Sequence, residues 1–130
     1  MVLTINGVDY SVKFGVGFVR ELDKKYYTEN KTKTVKYGLG IETQVPMLLT
    51  GDPVVLAEFI YTGTCAEDKR PSQTEVDDFI DTVDDIEGLF DSVVEELKRS
   101  NATRVKVGEL ESALKREDEL IRAAKKNETQ

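Results

Sequence analysis

Ile86-Glu87-Gly88-Leu89-Phe90-Asp91-Ser92-Val93-Val94-Glu95-Glu96-Leu97 is the stretch around which the rest of the chain is organised. Its apolar residues Ile86, Leu89, Phe90, Val93, Val94 and Leu97 recur at i, i+3, i+4, i+7, i+8 and i+11, one face of an α-helix. Glu87, Asp91, Ser92, Glu95 and Glu96 fill the other face, so a helix about 18 Å long with one wet side is expected. Each large side chain it buries is worth about 1.5–3 kcal/mol, which makes it the hub of a small core. Left uncovered, the same face would be an apolar patch of a kind that soluble monomers rarely carry. Phe90 sits at its centre. If buried, its truncation to Ala costs about 3–5 kcal/mol; if at the surface, it becomes a candidate partner contact.

Working outward, Asp84 or Asp85 caps this helix and Ser100-Asn101 stops it. Before it, Ser72-Gln73-Thr74-Glu75 matches a capping box, opening a helix with Val76, Phe79, Ile80 and Val83 on one face. In Gly51-Asp52-Pro53, Gly51 closes one helix, Asp52 caps the next, and Pro53 takes the first position, where its missing N–H does no harm. The helix that follows carries Val54, Val55, Leu56, Ala57, Phe59, Ile60 and Tyr61, apolar almost all round, and is expected to be central and buried up to Gly63.

Another helix is expected over Leu39–Leu49, kinked or divided by Pro46. The polar run Thr28–Lys36 reads as an exposed loop, and Phe18, Val19, Leu22 and Tyr26 place a helix near Val16–Tyr27. Both arms around Asn6-Gly7 alternate with period 2, a hairpin over about Leu3–Phe14. An isolated hairpin is marginal in water, so it must lie on helices.

The expected fold is mainly α. An N-terminal β-hairpin packs on a small bundle of about five helices, together residues 1–101. A charged C-terminal tail, residues 102–130, follows as a marginal helix or disordered chain. In that tail Val107, Leu110, Leu114 and Ile121 share a narrow seam that Glu117 interrupts. Two broken heptads do not make a coiled coil.

At 130 residues the chain is one domain, with 39% hydrophobic and 33% charged residues and a net charge of −7. That balance disfavours nucleic acid and anionic membranes as partners. The acids crowd the two helices before residue 98, whereas the tail has a basic bias, which points to docking of the tail within or between subunits. The N-terminus lacks a secretory pattern and no run approaches a membrane span, so a cytoplasmic protein is expected. The lone Cys65 excludes an internal disulfide.

The absence of histidine removes Ser-His-Asp and Cys-His catalysis and the commoner zinc sites. Gly15-Val16-Gly17 and Gly38-Leu39-Gly40 lack the third glycine of a dinucleotide fingerprint and read as turn and helix-boundary residues. Asp77, Asp81, Asp84 and Asp85 fail the calcium-loop spacing and do not face each other across a cleft, so a solvated acidic face is expected. No catalytic, cofactor-binding or metal residue is assigned, and a non-enzyme is expected. Tyr26-Tyr27 with Tyr37 read equally as a sticky patch or as core and hairpin packing. The candidate partner-binding residues are Tyr27, Tyr37, Leu110, Leu114 and Ile121.

One resemblance adds to this reading. Leu3-Thr4-Ile5-Asn6-Gly7, Val12-Lys13-Phe14-Gly15, Gly17-Phe18-Val19-Arg20-Glu21-Leu22-Asp23-Lys24, Tyr37-Gly38-Leu39-Gly40, Gly51-Asp52-Pro53, Arg70-Pro71-Ser72 and Glu95-Glu96-Leu97-Lys98 occur in this order and spacing. Over roughly Met1–Asn101 the chain resembles the tail assembly chaperones of long-tailed phages and prophages of Gram-positive bacteria. The resemblance implies a protein that coats and solubilises the tape-measure protein and helps recruit tail-tube subunits. It also implies a short product and a longer frameshifted one, and absence of both from the finished virion. Ala124-Lys125-Lys126-Asn127 is where a slippery A-rich run would fall. No cofactor is implied, and self-association is left open. The alternative is a helical adaptor or regulatory module unrelated to phage.

Overall fold

A computed structural model describes residues 1–128. The first hairpin pairs β1 (Val2–Ile5) with β2 (Val8–Ser11), Ile5 opposite Val8. Asn6 and Gly7, at φ 52° and 77°, make the two-residue turn whose twist suits the strands. Tyr10, Val12 and Phe14 face inward and are buried. The Asn6 amide donates to Glu75 Oε2 at 3.2 Å, tying the turn to the start of α4 (Gln73–Thr82).

Five helices follow the expected order: α1 (Val16–Lys25), α2 (Gly40–Leu49), α3 (Pro53–Gly63), α4, and α5 (Ile86–Arg99). The N-termini of α3, α4 and α5 are closed by residues that the sequence nominates. Asp52 Oδ1 accepts from the N–H groups of Val54 and Val55, Ser72 and Glu75 complete the reciprocal capping box, and Asp85 Oδ1 accepts from Gly88. Gly51, at φ 92°, turns the chain between α2 and α3.

The N-terminus of α2 is closed from elsewhere. Leu39 offers no side-chain cap, and Asp23 of α1 accepts from the Gly40 N–H at 2.9 Å instead. A Cβ at Gly40 would lie 2.7 Å from Leu22 Cγ, so this crossing needs glycine. Pro46 lies inside α2 without dividing it. The end beyond Pro46 is closed by the N–H groups of Thr50, Gly51 and Asp52, which donate to the carbonyls of Pro46, Leu48 and Met47.

As expected, α3 is the central helix: Val55, Leu56, Ala57, Phe59 and Ile60 are buried on it. Phe18 stacks edge-on between Phe14, at 4.9 Å, and Phe59, at 5.2 Å, joining hairpin, α1 and α3 in one core. Leu89, Val93 and Leu97 of α5 complete it.

Two segments differ from, or sharpen, the expectation. Thr28–Lys36 is not a plain loop; it holds the turn and half of the paired residues of a second antiparallel ribbon, β3 (Tyr27–Glu29) with β4 (Lys36–Gly38). The ribbon has no buried face, and its turn is held by Asn30 Oδ1, which accepts from the N–H groups of Thr34 and Val35. The tail is a helix, α6 (Arg104–Glu128). Its first turns are part of the body: Thr103 just before it and Val107 within it are buried, and the Thr103 hydroxyl donates to the Leu97 carbonyl at 2.6 Å. Lys106 pairs with Glu42 of α2, and Lys98 of α5 with Glu111 at 3.1 Å. Thr129 and Gln130, the end of the expected tail, lie outside the described residues.

Candidate functional site

The apolar face of α5 divides into two rows. Leu89, Val93 and Leu97 are buried, whereas Ile86, Phe90 and Val94 are half-buried. Phe90 and Val94 lie one helical turn apart and line a groove with Leu48 and Leu49 from the end of α2. The groove has a volume of about 440 Å³, and Glu111 brings α6 to its rim beside Asp91, Glu95 and Lys98. Lys98 bridges Glu95 and Glu111, at 3.6 and 3.1 Å, and the Glu111 carboxylate pushes the ammonium pKa up. Apolar and charged side chains line it together, a mixture that suits an amphipathic helix rather than a small polar substrate.

The sequence-derived candidates do not share one site. Tyr27 and Tyr37 are both exposed on the β3–β4 ribbon, but Tyr27 is opposite Gly38 and Tyr37 is opposite Thr28. Adjacent pairs in a ladder point to opposite faces, so the two rings do not form one patch. Lys36 sits over the Tyr27 ring at 4.8 Å, on the same face. Tyr26 is half-buried against the core and gives its hydroxyl to Glu58 of α3. Leu110 is half-buried against the body and Leu114 is half-exposed one turn on. Ile121 is 48% exposed and Leu120 72% exposed farther along α6.

Asp77, Asp81, Asp84 and Asp85 are all solvent-exposed. Asp85 is occupied as the cap of α5. Among the described residues no group of three or more His, Cys, Asp or Glu is placed to hold a metal ion, and no helix is long and apolar enough to cross a membrane. Cys65 borders Tyr61, Thr62 and Arg70 at the end of α3. Nothing local in the sequence marks Leu49 and Val94 as groove residues; both are half-buried where α2 and α5 meet Glu111 of α6.

The family model described as phage tail assembly chaperone protein, TAC, matches residues 2–112. The chain belongs to the phage tail assembly chaperone family. The match spans the hairpin, the five-helix bundle and the docked first turns of α6, and it stops where that helix leaves the body. It thus runs past Asn101, where the resemblance read from the sequence ends. No curated protein and no solved structure matches the chain.

Proposed function

We propose that this chaperone binds the tape-measure protein of a long-tailed phage or prophage in the host cytoplasm and keeps it soluble during tail assembly. It helps recruit tail-tube subunits through a longer frameshifted form, is shed before the virion is complete, and does no catalysis. The observation that carries the reading is the half-buried row of Phe90 and Val94 opening onto a groove of about 440 Å³ in a chain of this family. A tape-measure protein is expected to be long and helical. A helix laid in such a groove presents apolar anchors at i, i+3, i+4 and i+7, and Phe90 and Val94, four residues apart on α5, offer it two apolar contacts beside Leu48 and Leu49.

Hydrogen exchange on the co-purified complex of chain and tape-measure protein tests this reading. Slower exchange over α5 and the start of α6, with α1 unchanged, is the expected result. A complex protected only at α1 and the ribbon places the client elsewhere, and absence of any complex removes the function.

A further inference from the structure

A second groove lies between α3 and α4, away from Phe90. Pro53, Val54 and Ala57 of α3 line it together with Gln73, Asp77, Ile80 and Asp81 of α4. Its volume is about 340 Å³. Val54 is 74% exposed there, the most exposed large apolar side chain of the chain's described residues. Gln73, Asp77 and Asp81 are spaced i, i+4, i+8, so they run as one stripe along α4 beside the buried row of Val76 and Ile80.

The charge of this region has one sign. From Gln73 to Arg99 there are ten carboxylates and two basic side chains, Lys98 and Arg99, a net of −8 in a chain whose total is −7. Both bases are already paired, Lys98 with Glu95 and Glu111, Arg99 with Glu96. No basic residue lines the groove, and among the described residues neither Asp77 nor Asp81 makes an ion pair.

We infer that the α3–α4 groove docks a basic amphipathic helix, a Lys/Arg-bearing segment of the tape-measure client; this rests on the chaperone reading above. The partner's apolar stripe covers Val54, Ala57 and Ile80, and its cations meet Asp77 and Asp81 one turn apart. Rim charges of this kind set orientation and the rate of encounter, and they exclude helices with an acidic polar face. The field reaches about 8 Å at physiological ionic strength, so the contact is salt-sensitive.

Two probes test it on the full chain. The first is a designed amphipathic peptide of about 18 residues, some five turns, with Leu on one face and Lys on the other, and its Glu counterpart. Fluorescence anisotropy is expected to show the Lys peptide binding and the Glu peptide not, with hydrogen-exchange protection over Val54–Ala57 and Asp77–Asp81. The double variant Asp77→Lys/Asp81→Lys, both exposed sites, is expected to weaken the Lys peptide by at least tenfold at unchanged circular dichroism. Equal binding of both peptides, a footprint elsewhere, no binding, or occupation of the groove by a second copy of this chain overturns the inference. The second probe is co-expression with the tape-measure protein. If the wild-type chain keeps it soluble and the double variant does so equally well, the groove assignment fails while the chaperone reading stands; if the wild-type chain fails, the chaperone reading itself is wrong.

Discussion

The Tyr26 hydroxyl, just past the end of α1, donates a 2.7 Å hydrogen bond to Glu58 Oε2 on the central helix α3. Lys25 approaches the other carboxylate oxygen at 3.7 Å. Burial first, then the hydrogen bond to Glu58 and its charge, push the Tyr26 phenol from 10 up to about 12. A raised phenol pKa means that the fold favours the neutral form. The associated stability is fully present below pH 10 and is lost as pH rises through about 12. Urea unfolding between pH 9 and 12 should show a steeper loss for wild type than for Tyr26→Phe; parallel curves would dissolve this link.

Glycine-to-alanine changes should have opposite signs at two helical positions. A Cβ at Gly63 would lie 2.5 Å from Val12 Cγ1 and 3.2 Å from Phe14 Cε1, where α3 meets the hairpin. Overpacking there is expected to cost about 1–3 kcal/mol. Gly108 of α6 has nothing within 4 Å of the same position. There the gain in helix propensity, about 0.5–1 kcal/mol, should prevail and raise the melting temperature. Matching signs at the two positions would contradict the packing described.

Phe90 is half-buried, so Phe90→Ala is expected to cost about half of the 3–5 kcal/mol of a fully buried Phe, roughly 1.5–2.5 kcal/mol. Leu97, with no exposure, should cost about 2–5 kcal/mol on truncation. Only the Phe90 change should also weaken client binding. Denaturant midpoints read the first difference and co-purification the second.

The body should end near residue 112 rather than at 101. Val107 is fully buried and Lys106 reaches Glu42, whereas Leu120 and Ile121 are exposed. A chain cut after Ser112 is expected to keep its melting temperature within a few degrees, while one cut after Asn101 should lose many. Equal melting temperatures for the two would show that the first turns of α6 contribute nothing.

The features legible in the sequence are those with causes within a few residues of each other. Asn6-Gly7, Asp52-Pro53 and the Ser72–Glu75 box announce their turn and caps locally, and the structure places each as read. The β3–β4 ribbon was not legible because it buries no alternating face; the Asn30 turn and the run of Thr28, Thr32 and Thr34 were the only hints. The groove was hidden for another reason. Whether Phe90 and Val94 are covered depends on the bend at Ser100–Thr103, and that bend is held by contacts such as the Ser100 hydroxyl on the Phe14 carbonyl at 2.5 Å, 86 residues apart. Tyr27 and Tyr37 looked like neighbours, and ladder register alone separates their faces.

Co-expression of the chain with the tape-measure protein, scored by the soluble fraction of the latter after centrifugation, tests the central claim most directly. The account predicts that the tape-measure protein is largely insoluble alone and becomes several-fold more soluble with the wild-type chain, co-eluting with it on gel filtration. A tape-measure protein that stays insoluble, or that an unrelated acidic helical protein rescues equally well, would contradict it.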